Sequence, residues 1–238
     1  MYNNLDKIIS INMKSIAKDK GEKMVKPEQV VSNATLKRLP IYLRYLQRLK
    51  GVDYISSVTI AEHLKLNSVQ VKKDIALVST VDGKPKVGFE LSRLIKDLED
   101  FLGCNNSQNA CLVGVGKLGS ALLSYKGYEK YGLKIVAGFE INEDLFGKEV
   151  GGTMIYPMSE LESYIKENKI YMAIIAVQSK DAQSVANKLV DAGVLAIMNF
   201  APERLNVPEH VALQSVDIAA TLAILSTKLK VMLDNKEK

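Results

Sequence analysis

The stretch Cys111–Leu123, CLVGVGKLGSALL, decides the fold. Gly114, Gly116 and Gly119 lie between an apolar, strand-like run from Ala110 to Val115 and a helical pattern of Leu118, Ala121 and Leu122. A GxGxxG spacing set directly between strand and helix is the fingerprint of a dinucleotide-binding turn. Gly114 permits the tight turn, Gly116 lets the backbone approach a pyrophosphate, and Gly119 lets the helix pack closely on the strand. Backbone amides at the helix start, from Val115 through Lys117 and Leu118, then face the phosphates.

Outward from this turn, LKIVAGFEI reads as the neighbouring strand and ends in Glu140, twenty-one residues after Gly119. A carboxylate there can accept both ribose hydroxyls, whereas it repels a 2′-phosphate, and no Arg adjoins it. NAD is therefore expected over its phosphorylated counterpart, by at least ~1 kcal/mol from like-charge repulsion. KIYMAIIAV, LAIMNF and HVALQSVDI read as further strands, with helices over 159–168 and 181–192. That alternation predicts a parallel, doubly wound sheet. Ligands of such sheets sit beyond the carboxyl ends of the strands, which places Val177, Gln178, Asn199, Ala201 and Pro202 beside the glycine turn, as a nicotinamide lining or as ordinary loop residues. A final helix over 219–233 carries a broad apolar stripe of Leu222, Leu225, Leu229 and Met232, widened by Ile224 and Val231. It packs either on its own domain or across a dimer.

The charge of the 238-residue chain is uneven. Residues 1–100 hold 18 Lys and Arg against 12 Asp and Glu, whereas the rest hold 14 against 15. A polyanion-binding module fused to a neutral ligand-binding one has this asymmetry, as does a solvated basic surface. Residues 1–30 are Lys-rich and weakly periodic, which suggests an arm or loosely held helix with no assigned role. From Thr35 a helix is expected, with Pro40 in its first turn, Leu43, Leu46 and Leu49 inward, Arg44 and Arg48 on another face, and Gly51 as terminator. In SSVTIAEHLKLNSVQVKKDIALV, a short helix capped by Thr59 or Ser57 precedes a turn at Leu66–Ser68 and a second helix, N-capped by Ser68, with Val71 and Ile75 inward. This is a helix-turn-helix pattern.

In that geometry Gln70 reads a base edge while Lys72 and Lys73 anchor phosphates, with Ser68 at the helix start. Asp82-Gly83 signals a hairpin turn, and flanking strands at Val81 and Val87 would present Lys84 and Lys86 on a wing. An amphipathic helix over 89–102 leads to a linker at Gly103–Asn109. Cys104 and Cys111 form no CxxC pair or His/Cys cluster, and His63 has no second ligand nearby, so neither disulfide nor metal site is expected. No apolar run reaches the roughly eighteen residues that span a bilayer, and no secretory apolar core is found, so a cytoplasmic protein is expected.

RLPIYLRYL, SSVTIAEHL, QVKKD, VGVGKLGSAL, NFAPE and SVDIAATL, in this order, resemble the motifs of the Rex family of redox-sensing transcriptional repressors, from about Leu36 onward. The resemblance implies a homodimer whose winged helices bind operator DNA when the nucleotide site is empty or holds NAD+ and release it with NADH. It also implies a terminal helix swapped between subunits. Arg44, Tyr125 and Asp217 match positions that relay the nicotinamide state, Asp217 of one subunit pairing with Tyr125 or Arg44 of the other. The chain departs from the family at Lys72, where Arg is frequent, at Ile218, where an aromatic residue is frequent, and in its wing sequence. The expected architecture is α/β: an extension (1–30), a winged-helix DNA-binding domain (31–103) and a Rossmann-like NAD(H)-binding and dimerisation domain (104–238).

Two other functions fit parts of the pattern. An NAD-dependent dehydrogenase would need an acid–base group, yet no Tyr precedes a Lys by four residues and His210 is the only histidine of the second domain. No catalytic residue is expected. A DNA-binding regulator sensing a CoA derivative through the same glycine turn is the other, and Glu140 weighs against it.

Overall fold

The computed structural model describes residues 31–106 and 108–235; the expected N-terminal arm lies outside them. The chain divides into two compact units, one ending at Ser107 and including Lys130–Gly132, the other formed by Gln108–Glu129 and the described residues from Leu133 on.

The first unit is helical. Helix α1 (Asn33–Leu46) starts where the Ser32 hydroxyl accepts from the Thr35 amide, and buries Leu39, Tyr42, Leu43 and Leu46. Pro40 sits in its interior rather than its first turn. A proline there removes one intrahelical bond, and the deeply buried stripe on either side holds the helix together regardless. The helix stops before Gly51, because Arg48 and Leu49 fold back on Tyr45 and Leu46 through short i→i+3 bonds. Strand β1 (Tyr54–Ile55) leads to α2 (Ser57–Leu64) and α3 (Ser68–Val78). Both helices start earlier than expected: Ser56 caps α2, one residue before Ser57 and three before Thr59, and the Asn67 carboxamide oxygen, one residue before Ser68, accepts from the Val69 and Gln70 amides. Ile60 and Ala61 meet Val71, Ile75 and Val78 in one core, closed by Leu91, Leu94 and Leu98 of α4 (Leu91–Leu102).

The wing differs from expectation. Its strands are β1 and β2 (Phe89–Glu90), paired antiparallel, and not segments at Val81 and Val87, which are exposed. The tight turn is Lys84–Gly88, closed by amide–carbonyl bonds in both directions, with Lys86 at φ +63°. Asp82-Gly83 lies ahead of it, where Gly83 packs under the Phe89 ring and no side chain would fit without displacing it. The approach to the wing is held by Asp97, buried on α4, which accepts from the Thr80 amide at 2.8 Å and from its hydroxyl.

The second unit is a seven-stranded sheet ordered β5-β6-β4-β3-β7-β8-β9. Its strands are β3 (Gln108–Val113), β4 (Leu133–Glu140), β5 (Glu149–Val150), β6 (Thr153–Pro157), β7 (Met172–Ile175), β8 (Ala196–Asn199) and β9 (Ala212–Ser215). All neighbours are parallel except β5, which joins β6 through the Gly151-Gly152 turn. The six parallel strands therefore follow the doubly wound order 3-2-1-4-5-6, with the reversal between β3 and β7. Helices α5 (Lys117–Ser124), α6 (Leu161–Glu167) and α7 (Ser179–Asp191) fill the connections. Helix α8 (Ile218–Asp234) ends the described chain, and none of its residues is buried.

Candidate nucleotide and nucleic-acid sites

The glycine turn sits at the topological switch point, where β3 ends beside β7. Gly114 has φ +95°, and a Cβ on it would lie 2.7 Å from the Ala176 carbonyl oxygen. A Cβ on Gly119 would overlap the Gly114 carbonyl. Gly116 has ordinary backbone angles and nothing within 4 Å of its virtual Cβ. Two glycines are thus demanded by the protein's own packing, while the third faces open space, as a residue kept small for an incoming group does. No side chain caps α5, so the amides of Lys117 and Leu118 at its start are left for an anion.

Glu140 ends β4, and its carboxylate accepts from the Val115 amide at 2.6 Å and from the Ile141 amide at 2.7 Å. Remaining lone pairs on the two oxygens can meet ribose hydroxyls. Val177 is half-buried, and Gln178 precedes α7 with its side chain exposed. Asn199 is fully buried, its carboxamide donating to the Ala201 and Glu203 carbonyls and accepting from the Ala201 amide. It shapes the Ala201-Pro202 turn. Of the expected relay residues, Arg44 is exposed on α1; Tyr125 is exposed with its ring edge-on to Tyr128 at 5.0 Å; and Asp217 caps α8, accepting from the Ala220 amide at 2.8 Å.

In the first unit, Ser68, Gln70, Lys72 and Lys73 are all exposed on α3. Four residues beyond Gln70, on the same helix, stands a buried carboxylate that its lysine-rich surroundings conceal. Asp74, 4% exposed, receives Arg38 Nε at 2.7 Å and Nη2 at 3.0 Å, the Tyr42 hydroxyl at 2.7 Å and the Thr35 hydroxyl at 3.1 Å. Burial opposes the charge, but the bonds from Arg38 and Tyr42 outweigh it and hold Asp74 below the usual carboxylate range. Burial, reinforced by the neighbouring carboxylate, pushes the Tyr42 hydroxyl up to about 12. The signal was available: Asp74 stands three residues after Val71 and beside Ile75, on the stripe that must face inward. On the wing, Lys84 donates to the Tyr54 hydroxyl at 2.9 Å and also sits over its ring, while Lys86 is exposed. Burial likewise drives the Cys111 thiol up to about 12, so it is an inert core residue.

A winged helix-turn-helix unit joined to a doubly wound dinucleotide-type sheet defines a nucleotide-responsive DNA-binding protein. Residues 30–76 match the family described as "Putative DNA-binding protein N-terminus", and residues 105–203 match the "CoA binding domain" family. Redox-sensing transcriptional repressors named Rex are similar over most of the chain. That of Treponema denticola is 38% identical, across 85% of this chain and 97% of its own length, and that of Carboxydothermus hydrogenoformans is 39% identical across 84% and 97%. The crystal structure of RSP in complex with beta-NAD+ and operator DNA superposes with a TM-score of 0.82 at 32% identity, covering 88% of this chain and 97% of that one. RSP in complex with beta-NADH gives 0.77 at 32% identity, covering 89% and 100%. The chain belongs to the Rex family of redox-sensing transcriptional repressors. Its relatives are transcription regulators rather than enzymes. Among the described residues no helix is long and apolar enough to cross a membrane.

Proposed function

We propose that the protein is a transcriptional repressor that binds operator DNA and is released from it by NADH, so that it reads the NADH/NAD+ ratio. The observation that carries this reading is the similarity, over more than four-fifths of the chain, to named Rex repressors and to a solved Rex-family repressor bound both to NAD+ with operator and to NADH. In this reading residues 31–103 form the DNA-binding domain and residues 104–238 the nucleotide-binding and dimerisation domain, in the cytoplasm.

The residues fit the cofactor. The amides of Gly116, Lys117, Leu118 and Gly119 would cradle the pyrophosphate, with the Gly114 and Val115 amides spent on shaping the turn through Phe139 and Glu140, and the Glu140 carboxylate would meet the ribose. Val177, Gln178, Ala201 and Pro202 would border the nicotinamide, with Asn199 holding their loop in shape. NAD+ supplies a positive charge on its nicotinamide ring that NADH lacks. Asp217, at the start of α8, would be the carboxylate that discriminates the two, with Tyr125 and Arg44 as its alternative partners across a homodimer. NADH must favour the released arrangement over the DNA-bound one, because equal affinity for both shifts nothing.

Ser68, Gln70, Lys72 and Lys73 on α3, with Lys84 and Lys86 on the wing, would engage the duplex. Helix α8 supports the dimer: Leu222, Leu225, Leu229 and Met232 are between 56% and 65% exposed in the single chain. The match of residues 105–203 to the "CoA binding domain" family favours a second reading, a regulator sensing a CoA derivative. Gel shifts on a selected duplex, titrated with NADH, NAD+ and CoA at fixed salt, decide between them. Release by NADH alone is expected; unchanged DNA affinity with NADH, or release by CoA alone, overturns the first reading.

A further inference from the structure

The buried cluster on α3 fixes more than the helix. Arg38 holds Asp74 through Nε and Nη2, and Asp74 is held in turn by Tyr42, which is fully buried, and by Thr35. The guanidinium plane therefore has one orientation. Its outer edge meets the Gln70 carboxamide, with Nη1 at 3.1 Å and Nη2 at 3.2 Å from the same terminal atom. A guanidinium has only donors, so the atom facing it must be the carboxamide oxygen, which accepts from Nη1 and shares the Nη2 hydrogens with Asp74 and Thr35. The NH2 end of Gln70 is the end left to point away from the protein.

A glutamine free to turn in a major groove reads adenine with both ends, its oxygen accepting from N6 and its NH2 donating to N7. Gln70 lacks the free oxygen for that. Resting on the operator-binding reading above, we propose that Gln70 reads its base as a donor alone, which rejects cytosine, the base with no major-groove acceptor, and removes the second bond that would favour adenine over guanine (N7, O6) and thymine (O4), with Arg38 as the positioning residue.

The test selects duplexes from a randomised library with the full-length protein, then measures relative affinities for point-substituted duplexes. Gln70→Ala marks the position concerned, the one whose base preference it flattens. The wild-type protein is expected to disfavour cytosine there by about tenfold and to give adenine no advantage over guanine or thymine. Gln70→Glu keeps an oxygen against Arg38 but turns a second acceptor outward, so the preference should invert toward cytosine. Arg38→Lys retains a cation for Asp74 while loosening the grip on Gln70, so adenine should gain several-fold. A wild-type preference for adenine or cytosine at that position, no position flattened by Gln70→Ala, or no inversion with Gln70→Glu overturns the proposal, and the last two tests stand even should Arg38→Lys fail to fold. Selection of no sequence at all overturns the operator-binding reading itself.

Discussion

The carboxylate of Glu140 accepts a 2.6 Å hydrogen bond from the amide of Val115, which ties the end of the second parallel strand to the glycine turn on the first. One side chain thus both shapes the turn and offers the acceptors a ribose would use. Replacing it with alanine should weaken NADH by roughly ten- to a hundredfold, since a charge-assisted bond contributes about 1.5–3 kcal/mol. It should also narrow the margin of NADH over NADPH. Calorimetric titration of both nucleotides checks this; an unchanged margin assigns the discrimination elsewhere.

The three glycines separate by mechanism. Gly116→Val meets nothing within the protein, so the melting temperature should hold while nucleotide affinity falls steeply. Gly119→Val should destabilise the second unit before any ligand is added, because its Cβ overlaps the Gly114 carbonyl. Gly114→Ala forces a side chain to φ +95° and should cost about 1–3 kcal/mol, read by urea denaturation.

Asp74→Ala strands the Arg38 guanidinium and should destabilise the first unit by about 3–5 kcal/mol. The pH dependence has two arms. Asp74 is depressed, so its contribution is present above the ordinary carboxylate range and disappears as pH falls through its folded value. Tyr42 is raised from 10.0 to about 12, so its contribution is complete below pH 10 and disappears as pH rises toward 12. Urea melts across both ranges should show both losses, and Tyr42→Phe should remove the alkaline one.

Lys72 and Lys73 are exposed on α3, and a phosphate contact predicts a uniform effect. Lys72→Ala should weaken binding to all duplexes alike and lower the slope of log affinity against log salt by about one. A sequence-dependent loss would make Lys72 a base reader instead.

Leu222→Glu with Leu229→Glu places charge on a helix face that nothing in the single chain covers. Sedimentation should give a dimer for the parent and a monomer for the variant, with circular dichroism unchanged. A variant that stays dimeric places the subunit contact elsewhere.

The glycine turn, Glu140 and five of the six parallel strands are legible because each rests on local pattern: apolar runs, a fixed glycine spacing, a carboxylate at a strand end. Strand β6 was not, since Thr153–Pro157 alternates weakly and its neighbour β5 has two residues. The wing turn was misplaced by a strong dipeptide signal at Asp82-Gly83. There Phe89 packing sets the chain path, and the reversal falls at Lys84–Gly88 instead. At Asn199 a position after a strand fits pocket lining and ordinary loop alike, and the three backbone bonds its buried carboxamide makes within its own turn are not visible in local pattern. Asp74 was missed because an acid in a lysine-rich helix reads as surface, and only its partners on α1, more than thirty residues earlier, reveal it as core.

The cluster around Asp74 also bears on how such a protein can change. Because Arg38 neutralises a buried carboxylate and touches the outward-facing Gln70, drift at Arg38 is penalised through folding before any new target site is gained. Retargeting has its open route through the solvent-side positions of the recognition helix, whose replacement leaves the interior intact.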